Sequence, residues 1–255
     1  MAGTFDRRRI QAPEVSYAPT YTSEASAGPS RRTTRSNDQA RPIFLKTGLV
    51  SQANGSGYIE AGGVKIACSV YGPRPKQPPY SPQGSLNLEI KFAPFASHPR
   101  RAPLRDTEPA PLSALLASHL LPALQLHLLP KSALDVHLLI LESDILPNVL
   151  SAGLTVASAA IADAGIPMYS LGVGATVSKA DQTLCVDPET EEEEGTATVA
   201  VGVLPALQKL SGVLLTGDVD VDEACQMVNK ATASAKMTHG ALAQALIEGT
   251  EERAT

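Results

Sequence analysis

From residue 64 to residue 71 the chain alternates, with Val64, Ile66, Cys68 and Val70 on one side and Lys65, Ala67, Ser69 and Tyr71 on the other. A period of two is that of a strand with one face on a core. Gly62-Gly63 stands where a two-residue hairpin turn needs positive φ, so the residues before it are expected to pair antiparallel with those after it. Proline cannot donate to a ladder, and Gly72-Pro73 is expected to end the hairpin. Residues 85–92 alternate as cleanly, Leu86, Leu88, Ile90 and Phe92 against Asn87, Glu89 and Lys91. The stretch between them carries Pro75, Pro78, Pro79 and Pro82 and reads as a loop. A further strand is expected upstream, around 47–50.

Helical spacing begins at Leu112, Leu115, Leu116, Leu120, Ala123 and Leu124, with Pro122 bending the helix near its end. Residues 133–141 are apolar on both faces apart from Asp135 and His137, which predicts a central strand buried on both sides. Pro147 and Asn148 precede an alanine-rich helix over 149–164 that Gly165 can close and whose small residues suit a sandwiched position. Strands follow at 171–178, 183–186, 196–204 and 210–216, with an acidic loop over 187–195. Asp220 and Glu223 resemble a capping box at the start of a long final helix carrying Ala224, Met227, Val228, Ala231, Ala235, Leu242 and Leu246, frayed over 251–255. Strands, two helices around a strand, strands and a helix make an α+β fold with two mixed or antiparallel sheets and helices packed between and beside them.

Composition changes the picture at the N-terminus. Residues 1–41 mix Arg7-Arg8-Arg9, Arg31-Arg32, Pro, Ser and Thr with almost no periodic apolar residue, so they read as a basic disordered arm ahead of a domain over 42–250. The formal charge of −5 is uneven: residues 1–46 hold eight Lys or Arg against four acids, and the rest thirteen against twenty-two. A basic arm on an acidic body suits RNA phosphates or an acidic partner, or a solvated extension. With 255 residues, 43% of them hydrophobic, the chain can bury a core. The odd set Cys68, Cys185 and Cys225 has no CxxC spacing, and two of the three fall inside apolar runs, which fits buried thiols in a reducing compartment better than a disulfide framework. No apolar leader follows the first arginines and no uninterrupted apolar run is long enough to span a bilayer, so neither secretion nor a membrane is expected.

The run Gly55-Ser56-Gly57-Tyr58-Ile59-Glu60, followed by Lys65-Ile66, Cys68-Ser69-Val70-Tyr71 and Gly72-Pro73-Arg74, resembles the opening hairpin of the RNase PH family. Lys91-Phe92-Ala93-Pro94-Phe95, Leu121-Pro122-Ala123-Leu124, Leu134-Asp135-Val136 and Ala162-Asp163-Ala164-Gly165-Ile166-Pro167-Met168 continue the resemblance in the family's order. It implies the RNase PH fold, of the ribosomal protein S5 domain 2-like type. It also implies the setting of an exosome ring subunit: homologous RNase PH-like subunits in a hetero-hexameric ring, cap proteins with S1 and KH modules, a separate nuclease, RNA through a channel, and a nuclear, nucleolar and cytoplasmic location.

Phosphorolysis on this fold needs an arginine and backbone amides for phosphate, and aspartates for a metal or for general acid work. Active members of the family place Arg-Ser/Thr-x-Glu at the start of the first long helix, where an ungapped placement here puts Glu108-Pro109-Ala110-Pro111; Arg105 lies close by. Their Asp-Gly-Gly-Thr before the second helix matches Ser143-Asp144-Ile145-Leu146-Pro147, without either glycine. Their Ala-Asp-Met strand matches Ala197-Thr198-Val199, and a threonine does not ionise at neutral pH. Asp187 survives near an acidic position, but Asp187-Pro188 reads better as a turn. The expectation is therefore a catalytically silent scaffold with no cofactor and no metal. The alternatives are an active phosphate-dependent 3′ to 5′ exoribonuclease and, more weakly, a free-standing RNA-binding module.

Candidate RNA contacts are Arg74 and Lys76 after the hairpin and Arg100, Arg101 and Arg105 in the second proline-rich loop, each able to meet phosphates without reading bases. No aromatic platform is expected beside them. Gly172-Val173-Gly174 lacks the third glycine of a dinucleotide fingerprint, and Asp218, Asp220 and Asp222 lack the glycine and glutamate of a calcium loop.

Overall fold

The computed structural model describes residues 35–76, 78, 80–97, 100–101, 110–180, 183–189 and 197–254. The arm over 1–34, Arg105, Glu108 and the acidic run 191–194 lie outside the described residues.

The alternating segment does form a hairpin. Strands β2 (Gly55–Ala61) and β3 (Val64–Pro75) pair antiparallel from Ala61 opposite Val64 to Gly55 opposite Val70, with Gly62 at φ 55° in the turn. β3 does not stop at Gly72. After a register shift between Tyr71 and Arg74 it continues to Pro75 against β5 (Ser132–Glu142), because a shift lets the ladder pass a residue that cannot donate. The first strand, β1 (Ile43–Thr47), lies four residues earlier than expected, since Ile43, Phe44 and Leu45 are what align with Ala61, Glu60 and Ile59. β4 (Ser85–Phe92) pairs parallel with β5, giving a five-stranded sheet in the order β1-β2-β3-β5-β4. β5 is interior in that order but buried on one face only. Val136, Leu138 and Ile140 point inward, while His137 and Leu139 are exposed.

Helix α1 (Ala110–Leu120) gives way to a 3₁₀ turn, Leu121–Ala123, at Pro122. Helix α2 (Leu146–Asp163) begins three residues before its expected start, with Pro147 in its first turn, where a missing N–H costs nothing. Strands β6 (Val173–Ala180), β7 (Thr183–Val186), β8 (Ala197–Leu204) and β9 (Lys209–Gly217) form an antiparallel sheet in the order β7-β6-β8-β9. α1 and α2 fill the space between the sheets. Helix α3 (Val221–Ala254) covers the far face of the second, where Met227, Ala231, Ala235 and Leu242 meet Val173, Val177, Val199 and Val201. The helix runs through the residues expected to fray, its end fastened by Lys46 to Glu252 at 3.2 Å and by Arg253 to Asp163.

α2 is so closely held that two strands need glycine against it. A Cβ at Gly55 would stand 2.3 Å from the Ala160 carbonyl oxygen, and one at Gly174 would stand 2.2 Å from Ser151 Cα. At this range the helix hydroxyls bond the strand: the Gly174 N–H donates to Thr155 Oγ1 and the Gly172 N–H to Ser158 Oγ. α2 is long and apolar enough to cross a membrane by length and composition, yet 78% of it is buried inside the protein. Its apolar surface serves the core between the sheets.

Candidate functional site

The loops at the start of α2 and the end of β7 meet around Arg41. Residues 35–41, assigned to the arm by composition, belong to the fold, because backbone and charge both fasten them. The Val186 N–H donates to the Asn37 carbonyl at 2.9 Å, so this segment covers the outer edge of β7. Asp38 pairs with Lys230 of α3 at 2.6 Å, and Lys230 also donates to the Leu184 carbonyl at 2.5 Å. Lys230 holds the Asp38 carboxyl below the usual carboxylate range. Arg35 reaches the Asp187 carbonyl at 2.7 Å and Glu189 at 3.1 Å.

Arg41 then enters the interior, its side chain 6% exposed. Nε and Nη2 donate to the two carboxylate oxygens of Asp187 at 2.9 and 2.6 Å, the bidentate fork a guanidinium favours, and Nη1 donates to Asp144 Oδ2 at 2.9 Å. Burial works against the charged guanidinium, but the hydrogen bonds and charges of Asp187 and Asp144 outweigh it and raise its pKa. Asp187 lies in a bend just past β7, at φ 52°, its N–H extending the ladder to the Thr176 carbonyl at 2.9 Å. It is also the anchor of Arg41, which the turn reading leaves out. Asn148, in the first turn of α2, donates to Asp144 at 3.3 Å and to the Pro188 carbonyl at 2.7 Å, and accepts from Thr176 Oγ1 at 2.5 Å. Guanidinium, two carboxylates, amide and hydroxyl thus form one network joining the N-terminal segment, α2, β6 and the β7 exit. Chemically it fixes charge in place: each guanidinium nitrogen of Arg41 is bound to a carboxylate.

Thr198, on β8, stands in register with Ser178 of β6 and Thr216 of β9, so three hydroxyl residues share a face. Thr198 is buried, and its carbonyl accepts from Thr216 Oγ1 at 3.2 Å. Ser178 Oγ is buried with no hydrogen-bond partner among the described residues. Ala110 opens α1.

The candidate RNA-binding residues fall into two groups that do not meet. Arg74 and Lys76 lie at the β3 exit, where Arg74 pairs with Ala133. Arg101 lies over the Phe92 ring, 3.8 Å from its centroid, and Phe92 pairs with Ile140, seven residues further along β5. At about 3.3 Å per residue that is roughly 23 Å. Arg101 also donates from Nε to Ser97 Oγ at 3.0 Å, while Arg100 is exposed. Both groups do have aromatic neighbours, contrary to the sequence reading. Arg74 lies 5.1 Å from the Tyr71 ring centroid, and Tyr71 packs edge-on against His137 at 5.8 Å. These pairings join β3 to β5 and loop to strand, and only the alternation that puts Tyr71 and His137 on outward positions pointed to them.

The segments that carried the resemblance also come together: Leu124 and Met168 form a β-bridge, with Tyr169 N–H donating to Ala123 at 2.8 Å. The model of the RNase_PH family, described as the 3′ exoribonuclease family, domain 1, matches residues 39–167. The chain is similar to the exosome complex component MTR3 of Homo sapiens, at 34% identity over 97% of each chain. It is similar to mtr3 of Schizosaccharomyces pombe at 32% over 95% of this chain and 96% of the relative. Similarity extends to the exosome complex component Rrp41 of Thermococcus kodakarensis, at 34% over 84% of this chain and 87% of the other. Among solved structures, rice (Oryza sativa) Rrp46 superposes with a TM-score of 0.72 at 18% identity, covering 84% of this chain and 98% of that one. The Archaeoglobus fulgidus exosome with RNA bound to its active site gives 0.69 at 19%, covering 81% and 90%. Two sheets enclosing α1 and α2, the ordered motifs of the hairpin and helix exits, and similarity along nearly the whole chain place this protein in the RNase PH family.

Proposed function

We propose that this chain is a non-catalytic ring subunit of an RNA exosome, of the MTR3 type. Its neighbours are RNase PH-like chains in a hetero-hexameric ring, with RNA-binding cap proteins on one side and a separate nuclease on the other, in the nucleus, nucleolus and cytoplasm. Similarity to exosome components over 97% of the chain supports the setting.

The observation that carries the silent assignment is the state of the charged groups around Arg41. Phosphorolysis calls for a cation free to hold phosphate and an acid free to act at the leaving oxygen. Here Arg41 is bound through Nε, Nη1 and Nη2 to Asp187 and Asp144, and β8 offers Thr198 where active family members carry an aspartate. The family's description as 3′ exoribonucleases favours a second reading, a phosphate-dependent exoribonuclease.

One experiment separates the two. Purified full-length chain is incubated with uniformly labelled single-stranded RNA, with and without inorganic phosphate, and release of labelled nucleoside diphosphates is followed. In parallel, the tagged chain is recovered from cells and its companions are identified. No release together with recovery of RNase PH-like chains is expected. Robust phosphate-dependent release by the chain alone overturns the silent assignment.

A further inference from the structure

The last turn of α1 presses on the second sheet, and the side chain at that point is His119, 4% exposed. The sheet makes room for it with a pair of glycines, Gly202 of β8 directly opposite Gly212 of β9. A Cβ at Gly212 would overlap His119 Cδ2 and Nε2, and one at Gly202 would stand 3.3 Å from Nδ1 and 2.9 Å from Leu154 Cδ2 of α2. The imidazole therefore fills a slot walled by glycine backbone and a leucine. Beside the slot the ladder shifts register between Gly202 and Val203, which makes Ser211 the extra residue of a bulge. Ser211 Oγ is buried there with no hydrogen-bond partner among the described residues.

The elements around the ring offer it no counter-charge. α1 and β8 carry no other titratable side chain. β9 holds only Lys209, exposed at its start, and α2 only Asp163, at its far end and bound to the Ser56 N–H and Arg253. β4, which also packs on α1, carries Glu89 and Lys91, paired with one another at 2.9 Å. Glu89 also bonds His137, on the open face of the first sheet. Burial alone acts on His119 and lowers its pKa from the ordinary 6.5. An imidazolium in the slot would be desolvated without a carboxylate to meet it. The element able to yield is β9, the outermost strand of its sheet, ladder-bonded to β8 alone and with Leu210, Val213 and Leu215 exposed.

We propose that His119 is a pH-sensitive latch: its neutral ring holds β9 against the end of α1, and uptake of one proton from solvent drives the ring from the slot and frees the strand at its bulge. The sign follows from linkage. The folded pKa lies below the ordinary one, so the open state takes the proton more readily than the closed state. The latch is fully closed above the ordinary value and opens as pH falls below it. It goes beyond the exosome reading and does not depend on it, because every contact lies within one chain.

The test uses the full-length chain. Amide hydrogen exchange over residues 209–217, corrected for its intrinsic pH dependence, is followed by mass spectrometry at pH 7.5 and pH 5.5. Opening of β9 is expected to rise about three- to tenfold at the lower pH, since one linked proton gives at most about tenfold per pH unit, while β6 keeps its rates. His119→Gln removes the proton site and is expected to hold β9 opening within about twofold across the same range. Gly212→Ala expels the ring at any pH and is expected to raise β9 opening at pH 7.5 at least to the wild-type level at pH 5.5. In wild type labelled with 13C-histidine, the His119 resonance, assigned through its Overhauser contacts with Leu154, is expected to titrate with a midpoint below 6.5. A midpoint at or above 6.5 overturns the latch, as does wild-type β9 exchange that is equal at both pH values or an acid response shared by every segment. So does an acid response retained in His119→Gln, or unchanged β9 exchange in Gly212→Ala. The two wild-type readings decide the matter even where a variant fails to fold.

Discussion

Replacing Arg41 with methionine tests whether the junction of the N-terminal segment, α2 and β7 holds the fold. Methionine keeps much of the volume of the stem but leaves Asp144 and Asp187 facing one another, their side chains 6% and 18% exposed. Removing one partner of a buried pair costs about 3–5 kcal/mol, because the remaining charge stays desolvated. For a folded unit of about this size, each kcal/mol lowers Tm by roughly 2–4 °C, so a drop of about 6–20 °C is expected by circular dichroism. Replacing all three residues, Arg41→Met with Asp144→Asn and Asp187→Asn, should recover most of the loss. The pH dependence follows from the signs. The folded pKa of Arg41 is raised, so its stabilisation is fully present below the unfolded value and is lost only in strong alkali; between pH 5 and 9 the wild type loses none of it. A deficit under about 1 kcal/mol would refute the reasoning.

Gly174→Ala forces a methyl to 2.2 Å from the Ser151 backbone and should cost about 3 kcal/mol or more, whereas Gly240→Ala, in α3 with nothing within 4 Å, should add about 0.5–1 kcal/mol in urea denaturation. Ellman's reagent should label the exposed Cys225 quickly in the native protein. Cys68, whose thiol burial holds well above its ordinary pKa, and the buried Cys185 should react only in denaturant; fast labelling that survives Cys225→Ser would mean that the packing of the other two is wrong.

The hairpin, β4, β7 and α1 were legible because each is set by its own residues: a period of two or 3.6, and a turn or proline where the pattern breaks. Errors came where a neighbour decides. β3 continues past Pro73 because β5 accepts a register shift, and β5 has an open face because among the described residues nothing covers His137 and Leu139. The expectation of burial on both faces rested on its apolar content, which an outward Leu139 also supplies. α3 persists to residue 254 because Arg253 and Glu252 find partners on α2 and β1, which no reading of the terminal residues contains.

The same distinction governs the site. The changes at Ser143–Pro147 and at Thr198 each occupy one place in the chain, so comparing motifs finds them. Asp187 and Arg41 are 146 residues apart, and each alone has a sufficient bland account, a turn for one and the end of a basic arm for the other. Their pairing changes what the lost glycines mean. Glycines before α2 would let a phosphate approach its backbone; Ile145 and Leu146 stand in their place, and Asp144 ahead of them accepts from Arg41 and Asn148. Between them Asp144 and Asp187 occupy all three guanidinium nitrogens of Arg41. Arg41, Asp144, Asn148 and Asp187 act as one network, of which the sequence displays only separate pieces.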